Sequence, residues 1–240
     1  MTMNARQLWK RITAGIVRRG VGATTAALAL IATFVLGGTV SGMSAAEAKP
    51  AWGWGGGGKW ACSGAPVQAG YVITGYDRSG CNGAGSWYQQ PAKDGMWTCS
   101  GSPVVAGYVI TSYDRNGCSG IGGWRHSLAR DGIMTCSGSP VAPGYVITDH
   151  LQSGCNGIGS WRHNVARDGI WTCSGSPVVP GYVITDYLQS GCGGIGAWRH
   201  NTARAGLWTC PGSPVPRGFR STSYQVGGCH GLGAWVLARA

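Results

Sequence analysis

The sequence predicts an all-β protein built as a disulfide-stapled tandem array of five β-repeats. Three observations predict it. First, tryptophans 60, 97, 171 and 208 stand on a 37-residue step with Met134 in the vacant slot; Trp87, Trp124, Trp161, Trp198 and Trp235 keep the same step, as do Pro66, Pro103, Pro140, Pro177 and Pro214. A fixed period of that length marks one supersecondary unit used repeatedly. Second, ten cysteines fall at 62, 81, 99, 118, 136, 155, 173, 192, 210 and 229, with gaps that alternate 19 and 18. Third, each period holds a β-branched, aromatic run such as residues 181–185, bounded by glycine-rich text, and no stretch after the N-terminal segment keeps a helical period. The repeats read as 60–96, 97–133, 134–170, 171–207 and 208–240. A linear or gently curved array follows most simply. A closed five-fold, propeller-like ring is the alternative, because the fifth repeat stops four residues short and the N-terminal segment can complete it.

Residues 1–48 read as a signal peptide. Lys10, Arg11, Arg18 and Arg19 form a basic start, residues 20–46 are uncharged, and Ala46-Glu47-Ala48 supplies small residues at a cleavage site. An uncharged run of that length can also span a bilayer as an uncleaved anchor. Gly37-Gly38 and the Ala-x-Ala site favour cleavage, which leaves no stable membrane span. Arg18-Arg19 is a weak match to a twin-arginine signal, because Gly-Val-Gly follows it. The expected location is secreted, periplasmic or cell-surface. Residues 49–59 form a Gly/Trp-rich linker in which Trp52 and Trp54 are the apolar side chains.

Zinc sites need closely spaced cysteine pairs, and the chain has none. Disulfides suit a cysteine-rich, extracellular chain of small units. Two pairings keep the symmetry. Bridges within repeats join Cys62–Cys81, Cys99–Cys118, Cys136–Cys155, Cys173–Cys192 and Cys210–Cys229. Bridges between repeats join Cys81–Cys99 and its equivalents, leaving Cys62 and Cys229 to meet across a ring. The first is favoured because it needs no ring and leaves no orphan. Each such loop contributes about 3 kcal/mol in the chain-entropy model, which offsets the thin core of so small a unit.

Within a repeat, Ser174-Gly175-Ser176-Pro177 is a turn and residues 181–185 a strand. Gly191-Cys192-Gly193-Gly194-Ile195-Gly196 is too glycine-rich for a central strand and predicts a tight bend against another backbone. Asp168-Gly169 predicts a type I′ turn joining 161–167 to 170–173 as a hairpin across the repeat boundary. In that register Trp171 lies opposite Ala166 and Cys173 opposite Asn164. Trp97, Trp171 and Trp208 are then buried beside cystines. Trp161, His163 and Arg167 share the other, exposed face, with copies at Trp124, His126, Arg130 and at Trp198, His200, Arg204. The first repeat departs from the pattern with Trp87, Gln89 and Lys93, and Pro91 makes its strand an edge. The last has Trp235, Val236 and Leu237.

Only 11% of residues are charged, and 44 are glycine. The net charge is +11; from Lys49 onward, 14 Lys and Arg against 7 Asp leave +7. Such a chain attracts polyanions. Its acids are Asp in turn contexts, its histidines are dispersed over repeats two to five, and His150 stands where other repeats have Tyr. The serines sit in turn text with no nucleophile elbow. No catalytic residue, metal or cofactor is predicted, and the chain does not read as an enzyme.

The expected function is an exported, non-catalytic, multivalent carbohydrate-binding protein for glycans or cell-envelope polymers. The three Trp, His and Arg trios are the candidate ligand site: indoles stack on sugar rings, Arg and His bond hydroxyls or acids, and tandem copies add avidity. The expected partner is a polysaccharide or an anionic envelope polymer, not nucleic acid. Repeats three and four differ at only 8 of 37 positions, and whole-unit duplication serves a binder or a spacer better than an enzyme. A structural or surface-coat protein is the second reading. A peptidase inhibitor with rigid loops such as 63–66 is the third.

Overall fold

The computed structural model describes residues 57–240. The expected signal peptide and cleavage site, and Trp52 and Trp54 of the expected linker, lie outside the described residues. The described chain is all β apart from single helical turns. Repeat one contributes β1 (Lys59–Cys62), β2 (Tyr71–Asp77) and β3 (Ser86–Pro91). Repeat two contributes β4 (Met96–Cys99), β5 (Tyr108–Asp114) and β6 (Gly123–Leu128). Repeat three has β7 (Ile133–Cys136), β8 (Tyr145–Leu151) and β9 (Ser160–Val165). Repeat four has β10 (Ile170–Cys173), β11 (Tyr182–Leu188) and β12 (Ala197–Thr202). Repeat five has β13 (Trp208–Thr209), β14 (Phe219–Gln225) and β15 (Ala234–Arg239). Each repeat is its own three-stranded antiparallel sheet with the third strand in the centre, as in β10-β12-β11. The sheets do not close into a barrel.

The disulfides pair within repeats, as the cysteine spacing favoured: Cys62–Cys81, Cys99–Cys118, Cys136–Cys155, Cys173–Cys192 and Cys210–Cys229. Five such bonds fit an oxidising compartment. Each joins the first strand, or the residue just after it, to the turn between the second and third strands. That turn is as tight as its glycines predicted. A Cβ added at Gly117 sits 3.1 Å from the Gly123 backbone. Cys192 itself takes the left-handed region at φ 52°, where side chains other than glycine are uncommon.

The hairpin across the repeat boundary does not form. β10 pairs with β12 of its own repeat, so Trp171 faces Arg199 and Cys173 faces Ala197, not Ala166 and Asn164. Asp168-Gly169 does turn the chain, with the Ile170 N–H donating to the Arg167 carbonyl at 3.2 Å. Only Gly169 of the pair has positive φ, whereas type I′ needs it at both residues. The Asp168 side chain is used elsewhere. It accepts the Thr202 N–H at 2.7 Å and Asn201 Nδ2 at 3.1 Å, closing the open end of the β10–β12 ladder. Asp94 and Asp131 do the same for Leu128 and Val165.

Because side chains alternate, this pairing puts Ile170, Thr172, Trp198, His200, Ile184 and Tyr187 on one face of the sheet. Its centre is dry: His126, His163 and His200 are 1–2% exposed. Thr172 Oγ1 donates to the Trp198 carbonyl at 3.2 Å, so its hydroxyl accepts from His200 Nε2 at 3.1 Å. Nδ1 is then the bare acceptor, and it has no protein partner in any of the three histidines. Gln89 and Leu237 fill the same position in the first and last repeats, both buried. A position that accepts Gln, His or Leu is a space-filling one. At its rim Tyr187 stacks on Trp198 with centroids 4.4 Å apart, and His150 stacks on Trp161 at 4.2 Å in the slot of that Tyr.

The second strand of each sheet leaves an edge, and the next repeat covers it. The Ile73, Ile110, Ile147 and Ile184 N–H groups donate to Ser102, Ser139, Ser176 and Ser213 Oγ of the following repeat at 2.8–2.9 Å. The Cys210 N–H returns a bond to the Ile184 carbonyl at 2.8 Å. The second serine of the Ser-Gly-Ser-Pro turn is thus the joint between repeats. Val72, Val109, Val146 and Val183 are buried beside these joints. β14 differs: there Arg220 and Ser221 replace the Val-Ile pair and are exposed. A polar, charged edge of this kind resists strand-to-strand self-pairing.

These contacts set three expectations. Ser176→Ala strands the Ile147 N–H; it should cost about 1 kcal/mol in thermal unfolding and speed amide exchange at Ile147. Arg220→Val with Ser221→Ile should give concentration-dependent association above that of the parent chain in sedimentation velocity. The third concerns pH. Burial pushes His126 and His163 below their usual range and His200 down to about 4. The unfolded chain then binds more protons than the folded chain between about pH 6.5 and 4, so stability is full above 6.5 and falls as pH drops through that window. His200 alone contributes on the order of 2–3 kcal/mol to that loss. His200→Leu, the residue of repeat five, should flatten the slope measured by denaturant titration. Asp131 and Asp168 are held below the usual carboxylate range, first by the Asn164 side chain and by the Thr202 N–H respectively. Their contribution is present above about pH 3.8 and is lost only below it.

Candidate ligand-binding face

The predicted trios do not form one exposed face. Trp124, Trp161 and Trp198 are half-buried under their ring partners, and the histidines beside them are core. Arg130, Arg167 and Arg204 are exposed on the loop past the third strand, 3.8, 3.7 and 3.6 Å from Asp94, Asp131 and Asp168. Exposed pairs of this kind add little stability. Trp124, Trp161 and Trp198 keep partial solvent access, as expected, but the other tryptophan series is not buried. Trp97, Trp171 and Trp208, placed in the core by the hairpin register, are 37–46% exposed, and Trp60 of the same series is 38% exposed. The cause is the change of pairing partner, which moves the first strand onto a different neighbour.

The exposed face carries a different constellation. Trp171 on β10, Arg199 on β12 and Asp186 on β11 are direct cross-strand neighbours. The same row reads Trp97, Arg125 and Ser112 in repeat two, and Met134, Arg162 and Asp149 in repeat three. In repeat one it reads Trp60, Tyr88 and Gly75, with the two rings 5.4 Å apart. Gly75 leaves room for the Trp60 ring, whose edge lies 3.7 Å from where a Cβ would be. Arg162 reaches Asp149 at 3.7 Å, and Arg125 Nε donates to the Gly95 carbonyl at 3.1 Å. The arginines are therefore laid along the sheet rather than swung into solvent. Arg125, Arg162 and Arg199 were legible only as the middle letter of Trp-Arg-His; strand parity puts that letter on the face opposite its neighbours.

A polar cleft of about 410 Å³ continues this row in repeat two. It is lined by Arg125, Thr111, Ser127, Asp94, Arg130 and Asp131, together with Met134 of the next repeat. Thr111 occupies the bulge of β5, where one extra residue interrupts the ladder, and its hydroxyl lies 2.9 Å from Ser127 Oγ. Thr148–Asn164 and Thr185–Asn201 repeat that contact at 2.6 Å. Trp171 and Trp208 hold the Met134 position for the equivalent sites of repeats three and four. An indole beside a guanidinium, bordered by hydroxyls and a carboxylate, suits a ring with an apolar face and acidic or hydroxyl substituents. Among the described residues no three of His, Cys, Asp and Glu come together as a metal site requires. No helix among them is long and apolar enough to cross a membrane.

The two tryptophan series should separate by mutation. Trp198→Ala removes a half-buried ring stacked on Tyr187 and should cost about 3 kcal/mol. Trp171→Ala removes an exposed one and should cost about 1 kcal/mol or less in the same thermal unfolding experiment. Comparison with known proteins adds no name to this face: the chain matches no known protein family, no curated protein and no solved structure.

Proposed function

We propose that this is an exported, non-catalytic protein that binds glycans or anionic envelope polymers multivalently through its Trp–Arg rows. The observation that carries the reading is the cross-strand placement of Trp97 by Arg125 and of Trp171 by Arg199, on exposed strand faces that recur at the sequence period. Indole faces stack on the C–H faces of sugars, and guanidinium forks pair with carboxylates. A polymer offers the same group many times, so rows joined in one chain gain avidity without new contacts. The charge of +7 from Lys49 onward supports an acidic polymer. The disulfides support export. A structural or coat protein is the second reading, supported by the serine joints that lock each repeat to the next.

A panel of neutral and acidic glycans and isolated cell-wall polymers, tested on the oxidised chain, separates these readings. The expected result is retention on acidic polymers that weakens as salt rises. Replacing Trp97, Trp171 and Trp208 together by Ala should weaken retention roughly tenfold or more, and any one alone by less. Replacing Arg125, Arg162 and Arg199 by Gln should abolish the salt dependence and spare any neutral-sugar binding. Retention unchanged in both triple variants overturns the proposal. No retention on any polymer moves the structural reading ahead.

A further inference from the structure

We propose that the turns between the second and third strands of repeats three to five form a docking surface for an anionic lipid bilayer. The first two repeats show what such a turn normally needs. Asp77 accepts the Ser79 N–H at 2.9 Å, and Asp114 accepts the Asn116 N–H at 3.0 Å. Arg78 and Arg115 follow them. In repeats three and four the Asp position holds a leucine, Leu151 and then Leu188, and the Arg position a glutamine. The replacement gives up an Asx bond and puts an apolar side chain in water, which neither turn chemistry nor folding rewards. In repeat five Val226 takes the arginine position.

The far side of the turn changes in the same sense. Ala84 in repeat one gives way to Ile121, Ile158, Ile195 and Leu232. Leu151, Ile158, Leu188, Ile195, Val226 and Leu232 are 41–73% exposed. Residues 151–158, 188–195 and 225–232 contain no Lys, Arg, Asp or Glu. The turns are also contiguous. Each packs on the second strand of the repeat before it: Asn156 Nδ2 donates to the Tyr113 carbonyl at 2.6 Å, and His230 Nε2 lies 3.0 Å from Asp186. Leu188 and Leu232 wall one cavity of about 630 Å³ with Tyr187 and His230. A run of exposed aliphatic side chains on stapled turns marks an interaction surface.

Charge selects the bilayer as its occupant. The chain from Lys49 onward carries +7, and the same turns of repeats one and two present Arg78 and Arg115. Two copies docked through these turns would bring like charges together. Anionic headgroups meet the arginines favourably, while the uncharged turns enter the headgroup–acyl boundary at little desolvation cost. The turns offer no free strand edge for a peptide to extend. None of the six aliphatic residues belongs to the Trp–Arg rows, so the inference stands apart from polymer binding.

Co-sedimentation of the oxidised chain beginning at Lys49, which contains every described residue, tests it. Vesicles of phosphatidylcholine alone are compared with an equimolar mixture of phosphatidylcholine and phosphatidylglycerol. Binding to the mixed vesicles should exceed binding to the neutral ones roughly tenfold. Leu151→Ser, Leu188→Ser and Val226→Ser together should lower it roughly tenfold, with an unchanged melting temperature because all three are exposed. Trp171→Ala should bind vesicles like the parent. Arg78→Gln with Arg115→Gln should reduce the salt dependence. Absence of binding to mixed vesicles overturns the proposal, as does a triple-serine variant that binds like the parent. So does a parent chain that self-associates where the triple variant is monomeric, which identifies a second copy as the occupant.

Discussion

The bond between Cys173 and Cys192 ties the end of β10 to the turn that joins β11 and β12. The first strand is thereby held at the edge of its own sheet, next to the third strand. Without that tether β10 follows directly on the Asp168-Gly169 turn and has β9 as its nearest partner in sequence. A loop this short closes cheaply and restrains the unfolded chain. It also decides which strand the Trp-Thr-Cys segment pairs with, and so which of its residues face water. Burial of Thr172, exposure of Trp171 and the reach of Asp168 to Thr202 all follow from that one choice.

A three-stranded sheet of this size cannot bury both faces or both edges by itself. The repeats resolve this in two ways. One face is filled by a central His, Gln or Leu, set between two isoleucines in repeats three and four, and closed by a tilted ring pair. The open edge is lent to the next repeat, which supplies one serine hydroxyl, joined between repeats four and five by the Cys210 N–H. The bulge that interrupts each second strand hands its spare threonine to the other face, where it bonds the third strand. Packing, edge protection and the polar cleft are therefore products of one local irregularity repeated at a fixed step. Repeat five departs from the rule, with a polar second strand that is almost wholly exposed.

The surfaces left over differ in kind. The Trp–Arg rows lie on strands, where cross-strand pairing sets the distance between indole and guanidinium. The aliphatic turns lie on loops, where the cystine supplies rigidity that a loop of this composition lacks. The strand-borne rows keep their arginine in repeats two to four; the turns shift from acidic and basic to aliphatic along the chain. A rigid scaffold with variable loops is a general way to add binding without disturbing the fold.

The period, the all-β class and the cystine pairing were legible in the sequence. Each rests on local or arithmetic constraints: a 37-residue step, glycine-rich bends, and cysteine gaps that admit few symmetric solutions. The tight bend at Gly191–Gly196 belongs with these, because backbone crowding there is dictated by neighbours in sequence. Strand pairing was not legible. Asp-Gly is the strongest short-range hairpin signal, yet Asp168 bonds Thr202, 34 residues away, instead of closing a hairpin. A shift of partner turns side chains to the opposite face. Trp171 therefore lies at the surface instead of in the core, Trp198 is half-buried, and the Trp161, His163 and Arg167 trio dissolved into a rim ring, a buried filler and a loop cation. Sequence determined which residues recur; the tertiary fold alone decided which of them face water, because that depends on a neighbour strand that no local rule can choose.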